Sequence, residues 1–223
     1  KPFGAAEAGW LRASESSGWS DITLEEIKRA LERSASGKAA GPDTVWVDVY
    51  KSNIPLWAPI LTMLFNLMQK GCFPNTWVES IIVPIFTKGN KLDPSCYRPI
   101  SLLDGSAKIW GRTIFERLET WAADQNILSN VQYGFRRGLG TQKQCINLSL
   151  LFGTYTAARQ GTIHMCVVYL SSVFDLVNHH KLWATLRDLG APLSIILQLE
   201  CMYLNLTSRV RYGRNGEVTD PFR

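Results

Sequence analysis

A chain of 223 residues can bury a sizeable core in one or two domains, and hydrophobic side chains at 46% with charged ones at 19% exclude a disordered or low-complexity protein. The net charge of +5 admits an anionic partner but is too mild to demand one. Cys72, Cys96, Cys145, Cys166 and Cys201 form no C-x-x-C pair, and their odd number argues against a closed disulfide framework, so they are read as reduced packing thiols. No apolar run reaches transmembrane length and no signal-peptide pattern opens the chain, so no membrane partner is expected and an intracellular setting, cytoplasm or nucleus, is. The sequons at Asn147 and Asn205 are then chance matches.

Residues 1–21 carry Gly, Ala and Ser without sustained period and read as a loose lead-in. Thr23 and Glu26 form a capping-box pair flanked by a possible staple of Ile22 and Ile27, which predicts a helix from Leu24 to about Arg33 burying Leu24, Ile27 and Leu31. Ser36 to Val45, SGKAAGPDTV, is turn-rich, and Gly41-Pro42-Asp43 on its own is a structural turn. Leu56 to Lys70 predicts a core-facing helix through Ile60, Leu61, Leu64, Leu67 and Met68, stopped by Gly71. Ser80 to Phe86 is a β-branched run whose Pro84 points to an edge strand or a bulge. A turn through Asn90 and Asp93-Pro94 leads into Ser95 to Leu103, SCYRPISLL.

Ser106 to Asp124 has Trp110, Ile114, Leu118 and Trp121 at helical spacing, a core stripe. A Gly-flanked loop, Asn130 to Gln142, carries Arg136 and Arg137, which either meet a phosphate or are solvated charges. Gln142 to Gln160 reads as a buried helix through Ile146, Leu150 and Tyr155. The apolar run Ile163 to Leu170 reads as a buried strand, followed by Ser171, Ser172, Phe174 and Asp175 and a helix opening near His179. That helix ends at Gly190, and Pro192 opens the next. His164, His179 and His180 show no metal spacing with the cysteines. Ser208 to Tyr212 and Glu217 to Phe222 read as a hairpin around Asn215-Gly216.

Five of these stretches together resemble the reverse transcriptases of non-LTR (LINE-type) retrotransposons. SGKAAGPDTV is similar to their K-A-x-G-P-D-G loop, with Thr44 in place of the usual Gly. FPNTWVESIIVPIFTKGN resembles motif 1, and SCYRPISLL resembles motif 2, whose Tyr-Arg-Pro-Ile-Ser-Leu-Leu heptamer beside Lys88-Gly89 is specific. Gln132, Gly134, Phe135, Arg136, Gly138 and Thr141 match a Q-x-G-F-R-x-G-x-x-T segment. Thr162 to Trp183 resembles motif A, an Asp at the strand end, three variable residues, then Ala-Phe-Asp. Val173, Phe174 and Asp175 fill the last three places, and Tyr169 stands where the metal-binding Asp belongs.

The resemblance implies an α+β right-hand polymerase, fingers over residues 22–160 and an incomplete palm over 161–223. In it the Arg of the heptamer contacts the incoming triphosphate, which makes Arg98 the nucleotide-binding candidate and Lys88 a lesser one; a guanidinium fork matches phosphate oxygens. Read without the family, Arg98 pairs with an acid such as Asp93. Phe174 lies at the sugar-facing position, where an aromatic ring excludes a ribose 2′-hydroxyl; its plain alternative is a core aromatic. Asp175 is read as anchoring the turn into the following helix.

Family chemistry uses two Mg²⁺ ions about 3.5–4 Å apart, held by hard anionic oxygens. A tyrosine hydroxyl with a reference pKa of about 10 is neutral at pH 7 and a poor substitute. The chain also stops before the family's Q-G motif B and A-D-D motif C, and no two aspartates are adjacent anywhere in it. The expectation is therefore a fragment of a longer reading frame with a degenerate active site, no catalysis and no cofactor of its own. RNA or DNA is the candidate partner, held through Lys88, Arg98, Arg136 and Arg137; an unselected relic is the remaining alternative. An endonuclease domain upstream, template preference and oligomeric state are left open.

Overall fold

The computed structural model describes residues 20–69, 74–157, 162–170, 173–174, 176–204, 206–213 and 216–222. In chain order the elements are α1 (Leu24–Arg33), α2 (Val47–Ser52), α3 (Ile54–Gln69), β1 (Glu79–Phe86), β2 (Tyr97–Leu102), α4 (Gly105–Asp124), α5 (Thr141–Ala157), α6 (His179–Asp188), α7 (Leu193–Leu204), β3 (Thr207–Tyr212) and β4 (Glu217–Val218). The fold is mixed α+β with a four-stranded sheet in the order β2-β1-β3-β4. Two compact units form: Lys1–Arg117 with Leu186–Arg223, and Leu118–Thr185. β3 pairs in parallel with β1 from Glu79↔Thr207 to Ile82↔Val210, so the chain's last strands join the sheet begun by its first ones.

In the first unit, α1 starts where its sequence says it should. Glu26 N–H donates to Thr23 Oγ1 and Thr23 N–H to Glu26 Oε2, the reciprocal pair that satisfies two orphan helix donors. Ile22 is buried, and Ile27 and Leu31 are buried as expected, joined by Ala30, whereas Leu24 is 37% exposed. Leu24 is the first helical residue, one turn ahead of that stripe, and lies at its rim. In α3 the buried face is Ala58, Leu61, Phe65 and Met68, while Ile60 and Leu67 are exposed. The expected stripe was off by part of a turn because a helix apolar on several sides does not declare which side faces in. Phe65 meets Trp77 edge-on at 5.8 Å, and Trp77 meets Trp110 at 6.2 Å, the aromatic centre of this core. Trp110 and Ile114 of α4 are buried as expected.

Pro84 does not make β1 an edge strand, for β1 lies between β2 and β3. It is tolerated for two local reasons. Thr87 N–H donates to Cys96 O, and counting back along the ladder puts Pro84↔Pro99 on a rung where N–H groups point away from the partner strand. On that outer side the pairing with β3 has already ended, at Ile82↔Val210. A missing donor there costs little.

In the second unit two expectations are corrected. The α5 helix exists, yet none of its residues is buried, and Ile146, Leu150 and Tyr155 are 58%, 64% and 44% exposed. Residues 162–170 form no regular structure among the described residues, and Tyr169 is 88% exposed. A β-branched run becomes a strand only when a neighbour supplies the ladder, and residues 162–170 pair with no strand among the described residues. The expected stops at Gly71 and Gln160 and the Asn215 side of the hairpin turn lie outside the described residues.

Candidate functional site

The β1–β2 hairpin carries the two nucleotide-binding candidates at one end. Ile85↔Arg98 and Phe86↔Tyr97 are its last rungs, and the turn from Thr87 to Cys96 follows. The turn is internally fastened: Asn90 Oδ1 accepts from Leu92 N–H, Asp93 Oδ1 from Ser95 N–H, and Tyr97 OH donates to Lys91 O at 2.8 Å. Bonds from the Ser95 hydroxyl and N–H hold the Asp93 carboxyl below its usual range. Asp93 is thereby committed to its own turn. Arg98 is exposed on β2, and its side chain, like that of Lys88, makes no hydrogen bond or ion pair among the described residues. The alternative pairing of Arg98 with Asp93 does not occur. Gly89, at φ +101°, is required here, since a Cβ would stand 2.7 Å from Cys96 Sγ.

Immediately beyond β2 the chain grips the turn-rich loop of residues 36–45. Gly41 packs so tightly that a Cβ would fall 2.2 Å from the Leu103 carbonyl carbon and 2.4 Å from Asp104 N. Asp43 N–H donates to the buried Asp104 Oδ1 at 3.0 Å, while Asp43 Oδ1 accepts from Val45 N–H. Lys108 Nζ donates to Ala39 O at 2.8 Å. The same loop walls a cleft of about 510 Å³ whose lining includes Lys38, Thr44, Trp46, Asp48 and Arg211. Asp48 is engaged by Gly37 N–H at 3.0 Å, which leaves Lys38 and Arg211 as the cleft's cations. Sequence reasoning missed Trp46, Asp104 and Arg211. Of these only Arg211 left a usable trace, the alternation Arg209-Val210-Arg211 that puts two cations on one strand face. Arg209 spends its charge on Glu79 at 2.6 Å.

The second unit holds the other candidates. Arg136 Nη1 donates to Ser129 O at 2.8 Å, so this guanidinium fastens its own loop. Arg137 differs: its N–H is bound by Glu119 Oε1 at 3.1 Å, but its guanidinium is exposed and has no partner among the described residues. Phe174 is 72% exposed, which corrects the core-aromatic alternative. Its ring meets Phe135 edge-on, centroids 5.9 Å apart, joining two motifs that lie far apart in sequence. Asp175 lies outside the described residues. The cap of α6 is Asn178, whose Oδ1 accepts from Lys181 N–H at 3.0 Å.

The resemblance implies Mg²⁺, and the described residues do not fit it. The resemblance aligns Tyr169, which carries no carboxylate, with the metal-holding Asp, and among the described residues no group of three His, Cys, Asp or Glu side chains could hold a metal ion. No described helix is long and apolar enough to cross a membrane.

Comparison with known proteins agrees with the motif order. The family described as reverse transcriptase (RNA-dependent DNA polymerase) matches residues 87–218, from the hairpin that bears Arg98 to β4. A probable RNA-directed DNA polymerase from transposon BS of Drosophila melanogaster is 34% identical over 57% of this chain and 14% of its own length. An RNA-directed DNA polymerase from mobile element jockey of Drosophila funebris is 27% identical over 77% of this chain and 19% of its own. A retrovirus-related Pol polyprotein from type-1 retrotransposable element R2 of Nasonia vitripennis is 25% identical over 86% of this chain and 18% of its own. The chain thus spans less than a fifth of the length of each of these relatives. With the matched family covering more than half of its residues, the chain belongs to the reverse transcriptase (RNA-dependent DNA polymerase) family.

Proposed function

We propose that this chain is a segment of a retrotransposon-type RNA-directed DNA polymerase, fingers over residues 22–160 and the first part of a palm over 161–223, and that it does not itself catalyse nucleotide addition. The observation that carries this reading is Tyr169, standing where motif A of the family has its metal-holding Asp. Two-metal phosphoryl transfer places a cation on both the attacking and the leaving oxygen, and each cation needs anionic ligands. A tyrosine side chain has no carboxylate to supply them. The test is titration of the chain with Mn²⁺, read by loss of the free-ion paramagnetic resonance signal. No saturable site is expected at sub-millimolar metal, and one stoichiometric site there contradicts the reading.

A second reading is favoured by the unpaired guanidinium of Arg98 and by the exposed Lys88 and Arg137, with Arg136 as a weaker member: the chain retains RNA or DNA binding without catalysis. Affinity that rests on phosphates falls linearly with log salt concentration. Binding of a labelled RNA oligonucleotide is expected to weaken steeply as salt rises, and a salt-independent or absent signal rejects this reading. The compartment that fits it is the cytoplasm or the nucleus.

A further inference from the structure

The contacts between the loop of residues 37–45 and the start of α4 form a closed set. Gly41 abuts the Leu103 and Asp104 backbone, the Asp43 N–H meets the Asp104 carboxyl, and the Lys108 ammonium meets the Ala39 carbonyl. The other side is equally tight, for a Cβ on Gly105 would lie 2.9 Å from Val45 O and 3.0 Å from Tyr50 Cε2. Asp104 is the carboxylic acid of this set that is buried, at 3% exposure. We propose that Asp104 is a positioning residue, a latch whose neutral carboxyl holds the loop of residues 37–45 against the end of β2 and whose ionised form lets it open.

The direction follows from the surroundings. A carboxylate taken out of water gains stability when the loop opens and water returns, whereas the neutral acid still accepts the Asp43 N–H through its carbonyl oxygen. Burial raises the Asp104 carboxyl above its usual range, the Asp43 N–H bond opposes this, and the charges of Asp43 and Glu79 add to the rise. The facing groups are Asp43 on the loop, Glu79 on β1, Tyr50 on α2 and Lys108 on α4. Lys108 is itself lowered, by burial first, against the pull of Asp43 and Asp104. A group that binds its proton more tightly when docked stabilises docking below its unfolded value and loses that contribution as pH rises through its folded one. The loop carries Lys38 and Thr44 of the cleft, so its opening reshapes that cleft. The latch stands or falls independently of nucleic-acid binding.

Amide hydrogen exchange resolved by peptide, corrected for the intrinsic pH dependence of exchange, tests it on the whole chain. Protection of residues 37–45 in the wild type is expected to fall several-fold as pH rises from about 4 to about 7. In Asp104→Asn, which keeps the acceptor and removes the charge, protection stays level, and so does that of α3 in both proteins. Lys108→Met is expected to leave the wild-type dependence in place. A wild-type loop with level protection, an unchanged dependence in D104N, or its abolition by K108M alone each overturns the proposal.

Discussion

Arg117 grips Glu26 through two hydrogen bonds, Nε to Oε1 at 2.6 Å and Nη2 to Oε2 at 2.9 Å, across 91 residues of sequence. The same guanidinium reaches the carbonyls of Ser20 and Asp21, so one side chain of α4 closes the entry to α1. Burial alone would raise the Glu26 carboxyl, but the Arg117 and Thr23 bonds outweigh it and bring the pKa down to about 2. An acid depressed in the folded state stabilises above its unfolded value and loses that contribution as pH falls to the folded one.

Stability should accordingly decline between about pH 4.5 and about 2, by about 2–3 kcal/mol from this group. Urea unfolding of wild type and Glu26→Gln across that range checks it. The variant is expected to be weaker by about 2 kcal/mol at pH 7 and to converge on the wild type near pH 2.

Thr44 has φ +58°, a left-handed conformation that a β-branched residue adopts only under strain. The related loop of the family has Gly there. Thr44→Gly should therefore raise stability by about 1 kcal/mol, a rare gain from shortening a side chain. The check is a rise in Tm by calorimetry; a fall shows that Thr44 side-chain contacts outweigh the strain.

Gly41→Ala should do the opposite. Its Cβ meets backbone atoms at 2.2–2.4 Å, with no flexible side chain to yield, so the loop must shift bodily. A loss of about 3 kcal/mol or more is expected in denaturant unfolding, against near-neutrality for Ala at Gly140, where nothing lies within 4 Å.

The Gly41 and Thr44 cases show what the sequence could and could not disclose. The G-P-D turn was plain in the residues, but that its glycine abuts Leu103 depends on a contact between positions sixty residues apart, which no local pattern reports. Elements with local signatures, the capping box of α1 and the strand delivering Lys88, were legible for the same reason. The faces of α3 and the burial of α5 were not, because an apolar residue count does not say which partner exists. The run at residues 163–170 has strand composition, but a strand is a pairing and not a composition. That Asp93 serves its own turn and leaves Arg98 to itself was visible only in the turn geometry.

Arg98→Gln should weaken RNA binding and reduce the slope of log affinity against log salt by about one phosphate contact. Arg136→Gln is expected to act mainly on stability, since its guanidinium serves the Ser129 carbonyl. Fluorescence anisotropy at several salt concentrations separates the two. Equal slopes for R98Q and wild type remove Arg98 from the interface.

The most direct measurement is primer extension by the purified chain on an RNA template annealed to a DNA primer, with all four deoxynucleotides and either Mg²⁺ or Mn²⁺. With Tyr169 in the metal-ligand position, the primer should remain unextended under both conditions. Elongation that follows the template sequence, in either metal, contradicts the account.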